Sequence, residues 1–199
     1  MHTCSFNHKG SSEPINADGD QYIPNAITKV VSGKQRKVYF TQGHGEKDTT
    51  SSERDGYNII ATALGRENYT VEKLTIAQQG AVPDDAAVVV VAGPKNDFFA
   101  PEVDALKKYL DKQGKLLLAI DPPDKVDSPP LTNLIALDHD WGIQAGNNLV
   151  VDVSGMGKLT GLGTDASVPL VAPPYPAHPI TQRFGMLTAF PFAREASPI

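Results

Sequence analysis

Ala86-Ala-Val-Val-Val-Val-Ala92 follows the turn Pro83-Asp-Asp85 as seven consecutive apolar residues, four of them valine. A strand that does not alternate is buried on both faces, which implies a parallel sheet covered by helices. Upstream, Tyr69 to Leu74 alternates and carries Glu72 and Lys73, as expected of an exposed edge strand. Before it, Tyr57, Ile60, Ala61 and Leu64 recur with helical period and Gly65 supplies a stop, while Thr50-Ser-Ser-Glu53 has the spacing of a capping box opening that helix. Val38 to Thr41 is the first core strand. Downstream, Pro101 stands at the first position of a helix that aligns Val103, Leu106, Tyr109 and Leu110, with Gly114 past its end, and Leu116 to Ile120 reads as another buried strand. Alternating strands and helices predict an α/β fold with a doubly wound, mainly parallel sheet, ordered 2-1-3-4 from the edge with right-handed crossovers.

Farther out the pattern loosens. Ile23, Ala26, Ile27, Val30 and Val31 put one apolar stripe on a helix ending near Gly33. Residues 1–22 read as a polar arm with a weak strand candidate, Thr3 to Asn7, possible as an edge strand; residues 23–199 read as one α/β domain. Ten of the sixteen prolines fall between Pro122 and Pro191, so the part from residue 122 onward is turn-rich. A short helix is expected near Leu131 to Leu137, a fifth strand at Leu149 to Val153, and a glycine-rich excursion from Gly155 to Gly163. The ending at Phe192-Ala-Arg-Glu-Ala-Ser-Pro-Ile199 has no tail-like composition and reads as the edge of a segment excised from a longer protein.

With 199 residues, 40% hydrophobic and 21% charged, the chain can bury roughly 70% of its unfolded surface in a real core. A net charge of -5 argues against a nucleic-acid partner. No run approaches the roughly 20 apolar residues that span a bilayer, so this portion reads as soluble. Cys4 is the one cysteine, which excludes an internal disulfide and any multi-cysteine metal knuckle.

Functional chemistry is expected where strands end, because open parallel sheets bind ligands outside the carboxyl ends of their strands. Lys37-Val-Tyr-Phe-Thr-Gln-Gly-His-Gly-Glu46 runs from the first core strand into two glycines bracketing a histidine, with a carboxylate behind. Gly43 and Gly45 permit close backbone approach, so the amides of Gln42 to Gly45 could meet an oxyanion or carbonyl between His44 and Glu46. The competing reading is a demanding turn whose His44 and Glu46 hold neighbouring loops together, and the pattern fits structure or non-catalytic recognition better than catalysis. Gly93 and Lys95 leave the valine strand at the same edge, and Asp121 leaves the next, so these residues together would line one crevice. His178, in Tyr175-Pro-Ala-His-Pro-Ile-Thr181, is a further candidate, although a histidine in a proline-rich segment is commonly a turn residue. His44, Glu46 and Asp48 lack the scaffold a metal site needs, and neither Gly43-His-Gly45 nor Gly155-Met-Gly-Lys158 completes a nucleotide fingerprint. No metal, cofactor or catalytic residue is therefore assigned.

Several stretches taken together resemble a known family: Ala26 to Val30, Lys37 to Glu46, Val82 to Asp85 leading into Ala92-Gly-Pro94, Glu102 to Leu106 with Tyr109-Leu110 and Gly114 to Leu116, and His178 to Thr181. They look like the auxiliary domain of ABC-type transport systems, including the gliding-motility-associated auxiliary or substrate-binding proteins. Ala100 stands where the family pattern often has a serine before Pro101. The resemblance implies a flavodoxin-like or class-I glutamine-amidotransferase-like sandwich and a full-length protein anchored in the membrane. It also implies a place on the extracytoplasmic, periplasmic side and association with the transporter's membrane and ATPase subunits. It offers no catalytic residues.

The leading expectation is a non-enzymatic domain that binds a ligand or a partner protein. An amidotransferase-like or hydrolase-like enzyme is the alternative, but the strand ends read Thr41-Gln42, Gly93-Pro94 and Asp121-Pro122, with no nucleophile elbow. A carbohydrate-binding module is a third, with Tyr39 or Phe98 as the stacking aromatic beside an acidic crevice.

Overall fold

The computed structural model describes residues 4–8, 11–15, 36–123, 128–153 and 168–199, the first two stretches as backbone. The helix expected from Ile23 to Gly33 and the excursion from Gly155 to Gly163 lie outside the described residues. The chain divides into two compact units, Met1–Ile120 and Asp121–Ile199.

The first unit opens with a hairpin, in which β1 (Cys4–His8) pairs antiparallel with β2 (Ser11–Ile15). The strand candidate is therefore one half of a two-stranded ribbon. Four parallel strands follow: β3 (Arg36–Thr41), β4 (Tyr69–Leu74), β5 (Ala86–Ala92) and β6 (Leu116–Ala119). Their order is β4-β3-β5-β6, the 2-1-3-4 arrangement expected from the sequence. Between them lie α1 (Asn58–Arg66), α2 (Ile76–Gln79) and α3 (Ala100–Asp111). The β3-to-β4 step runs one way across the sheet and the β4-to-β5 and β5-to-β6 steps run the other. Right-handed crossovers therefore set α1 on one face and α3 on the opposite face. The result is a three-layer α/β arrangement.

Burial follows from that layering. Val38, Phe40, Val90 and Ala92 form a buried cluster, against which Tyr57 and Leu64 pack from the α1 side. Val89 and Val91, alternating with them along β5, are fully buried on the other side, as are Leu106 of α3 and Ile76 of α2. The valine strand thus has cover on both faces through its second half. Leu116 to Ile120 departs from the sequence reading, because β6 is an edge strand with Leu117 58% exposed, and only its inward residues are half-buried.

Two boundary expectations are also corrected. Thr50-Ser-Ser-Glu53 caps no helix: the Thr50 N–H and hydroxyl both donate to Asp48 Oδ1 at 2.8 Å, the Glu53 N–H donates to Ser51 Oγ, and α1 begins later, at Asn58. Short polar side chains here close local turns in place of a helix end. Gly65 does not stop α1 but lies inside it, the helix ending one residue later at Arg66.

The second unit holds α4 (Thr132–Asp140), which covers the expected helix near Leu131 to Leu137 and buries Leu134 and Leu137. After it come β7 (Ile143–Ala145), β8 (Leu170–Val171), β9 (Thr188–Ala189) and β10 (Ala196–Pro198). β10 pairs antiparallel with β7, and β8 with β9. Leu149 to Val153 is not a strand: the Val150 N–H donates to Ala193 O at 2.8 Å, but no ladder forms and Val153 is 91% exposed. Arg194 ties this unit together, its Nε donating to Gly146 O at 2.7 Å and Nη1 to Asp121 O at 3.4 Å. Burial holds the Asp138 carboxyl above its ordinary range, against the pull of Arg194.

Candidate functional site

The loop leaving β3 turns sharply because Gly43 and Gly45 adopt φ of +127° and +81°, where L side chains are rare. At Gly45 space adds to conformation, since a Cβ would lie 2.9 Å from Lys95 Cβ. The turn is stitched to both neighbouring strand ends. The Gln42 N–H donates to Leu74 O at the end of β4, and the Lys47 N–H to Ala92 O at the end of β5, each at 2.9 Å. In return, the N–H groups of Lys95 and Asn96 donate to His44 O at 2.8 and 3.0 Å. The loops after β3 and β5 therefore meet at one edge of the sheet, two of the three turns that the sequence reading brings together.

His44 does not face outward. The residue is 6% exposed, and its Nε2 lies 3.1 Å from Oε2 of Glu102, itself 3% exposed. The same Glu102 oxygen accepts the Phe99 N–H at 2.9 Å, so one carboxylate closes the first turn of α3 and anchors the histidine. On the other side, Glu46 Oε2 accepts the His44 N–H at 2.7 Å, and its Oε1 lies 3.9 Å from His44 Nδ1. The Glu46 side chain is 1% exposed. His44 Nδ1 and Glu46 Oε1 are both buried without a hydrogen-bond partner among the described residues. Phe98 seals the ring from one side, its centroid 4.3 Å away at a 30° tilt, and Phe99 meets it edge-on at 5.7 Å.

Glu102 is the member that reading the sequence for a site leaves out, whereas Phe98 and Tyr39, expected there as stacking aromatics for a carbohydrate, are 1% and 8% exposed, Phe98 being packed on His44 instead. In the sequence Glu102 stands only as the residue after the helix-opening Pro101, and nothing in its spacing from His44 signals contact. Among the remaining candidates, Gln42 is half-buried, its Nε2 donating to Thr41 O at 2.8 Å, while Gly43, Gly45 and Lys95 are exposed. Gly93 is buried, with its N–H on Ala119 O at 2.8 Å, which ties the β5 exit to β6. Asp121 and His178 belong to the second unit. The Asp121 carbonyl accepts from Arg194, and the His178 ring accepts the Ile180 N–H at Nδ1, 3.2 Å away, within a turn.

Behind the loop, Asp48 links it to the edge strand, with Oδ1 2.7 Å from Lys73 Nζ. That ammonium, then the Thr50 N–H and hydroxyl, pull the Asp48 carboxyl down to about 2. Thr41, the hydroxyl residue at the end of β3, is buried, with Oγ1 3.4 Å from Val90 O. Among the described residues, no group of three or more His, Cys, Asp or Glu is placed to hold a metal ion. Among them, too, no helix is long and apolar enough to cross a membrane.

No curated protein matches the chain. A solved structure titled mmIFT52 N-terminal domain is similar over 81% of this chain and 68% of its own, at 20% identity and a TM-score of 0.63. At that identity the likeness concerns the fold alone. The family described as ABC-type uncharacterized transport system matches residues 35–193, which takes in the parallel sheet, the stitched loop and the described part of the second unit up to Ala193. The chain belongs to that family, the auxiliary proteins of ABC-type transport systems.

Proposed function

We propose that this chain is a non-enzymatic, extracytoplasmic auxiliary or substrate-binding domain of an ABC-type system of the gliding-motility kind, anchored in the membrane through the full-length protein. It takes a ligand or a partner protein at the carboxyl edge of the parallel sheet, and belongs to an assembly with the transporter's membrane and ATPase subunits. We read the sheet as the flavodoxin-like or class-I glutamine-amidotransferase-like sandwich.

The observation that carries this reading is the burial of His44 and Glu46 against Glu102. Ionisable side chains spent on fixing a loop are poor acid–base catalysts for a substrate outside, whereas the loop they fix offers a rigid, exposed backbone at Gly43 and Gly45 beside Lys95. Gln42 and Gly93 shape that rim from beneath. Asp121 and His178 are separate candidate contacts on the second unit. The inward-turned Thr41 hydroxyl also counts against a nucleophile at the β3 exit.

The test is binding of the purified chain to the detergent-solubilised membrane and ATPase subunits, alongside a thermal-shift screen of sugars, peptides and divalent metals. A specific ligand present at 100 times its Kd adds about 2.7 kcal/mol to stability and raises Tm. Lys95→Glu is expected to weaken the observed binding about tenfold while leaving Tm unchanged. Steady turnover of generic ester or amide substrates, with binding untouched by Lys95→Glu, would overturn the proposal in favour of an enzyme.

A further inference from the structure

One stretch of the second unit is at odds with an acidic chain. Between Asp165 and Glu195 the sequence holds no aspartate or glutamate; its charged side chains there are Arg183 and Arg194, with His178 nearby. Within that stretch residues 172–187 form a closed excursion. β8 and β9 pair at its neck, Leu170 with Ala189 and Val171 with Thr188, and the Phe190 N–H donates to Pro169 O at 2.9 Å. The Tyr175 hydroxyl gathers the walls, lying 2.9 Å from Val171 O, 2.8 Å from Met186 O and 2.7 Å from Thr188 Oγ1. Its ring packs on Phe184 at 5.4 Å. At the tip, the N–H groups of Thr181 and Gln182 both donate to His178 O at 2.9 Å, and Thr181 Oγ1 donates to Pro176 O at 2.6 Å. A loop whose ends meet and whose own side chains fill it is an Ω-loop, a class that is frequently functional.

Built in this way, the excursion leaves apolar side chains uncovered. Ile180 at the tip is 82% exposed, Met186 67% and Phe192, on the flank, 61%. Exposed aliphatic and aromatic groups with an arginine and no carboxylate match the chemistry of an anionic bilayer surface. Apolar groups enter the acyl boundary, guanidinium meets headgroup phosphate, and no carboxylate within the loop itself repels the surface. An exposed turn with separated apolar side chains needs no shaped counterpart, which favours a fluid surface over a protein pocket. We propose that loop 172–187, with Phe190 and Phe192 beside it, docks peripherally on anionic phospholipid, Ile180 and Met186 inserting while Arg183 meets the phosphates.

Flotation of the 199-residue chain with vesicles tests this. The chain should float with phosphatidylcholine vesicles containing phosphatidylglycerol, less with phosphatidylcholine alone, and less in high salt. Ile180→Asp should weaken anionic-vesicle binding about tenfold, and Arg183→Glu about fivefold. Both side chains are exposed, so an unchanged Tm verifies that each variant is folded. Absence of flotation with anionic vesicles, or flotation that Ile180→Asp does not diminish, overturns the proposal. So does a chain that ignores vesicles yet engages transporter subunits through Ile180, which would make the loop a protein-docking element.

Discussion

Removing the His44 imidazole leaves the Glu102 carboxylate in the interior with the Phe99 N–H but without its partner ring. His44→Ala is therefore expected to cost about 3 kcal/mol of unfolding free energy in urea titration, the scale of breaking a buried pair by deleting one partner. Glu102→Ala should cost about as much, and the double variant less than the two together, because each single change already breaks the contact. Gly45→Ala is expected to cost more than about 1 kcal/mol, since it combines a positive φ with a Cβ against Lys95. Asp48 gives the residue scale a pH signature. Its carboxyl is held below the unfolded value of 3.8, so the Lys73 contact stabilises above that value and the benefit is lost as pH falls toward about 2. Melts of wild type and Lys73→Met should differ at neutral pH and converge in acid, with the carbon-13 titration of Asp48 moving up in the variant. His44 and Glu46 were legible as a pair because flanking glycines single them out. Glu102 was not, because its meeting with them is made by the crossover that brings α3 over the β5 exit.

At the scale of elements, strand burial separates what periodicity can say from what it cannot. The valine run declared a central strand, and β5 is one, with Val89 and Val91 fully buried. Leu116 to Ala119 carries the same kind of text, yet β6 has no strand beyond it among the described residues, and the face carrying Leu117 is left uncovered. Composition reports what a strand could bury and topology decides what it does bury. Leu106→Ala in α3 should cost about 3 kcal/mol, whereas Leu117→Ala in β6 should stay within about 0.5 kcal/mol; parallel denaturant titrations check the contrast. The same logic explains Leu149 to Val153, where branched apolar residues without a partner ladder form no strand and stay exposed. At Thr50 to Glu53 the capping pattern was present, but Asp48 lay close enough to take both Thr50 donors first.

For the whole molecule, the division at Ile120 and Asp121 coincides with the last parallel strand and the first of the clustered prolines. Met1–Ile120 contains all four strands of the parallel sheet, the three helices that accompany them and the stitched loop. Expressed alone, it should unfold cooperatively and keep the circular dichroism of an α/β sheet; a chain that stays unfolded would show that the second unit is required. The overall α/β class and strand order could be read from the sequence because each unit of strand and helix announces its own period. The turn-rich remainder could not, because its short strands are fixed by distant pairings, such as Ala196 with Ala145, that leave no local period.

At the amino edge of that sheet, Tyr109 reaches from the last turns of α3 to lie 3.3 Å from both Ala86 O and Lys115 O while accepting the Lys115 N–H at 3.1 Å. Gly114 is bare so that this ring can fit, since a Cβ there would come within 2.5 Å of it. One phenol thereby buckles the foot of two neighbouring strands, at the edge of the sheet opposite the stitched loop. A scaffold fastened at its base can have its upper loops rewritten without the strands coming apart, so an architecture of this kind lends itself to retargeting.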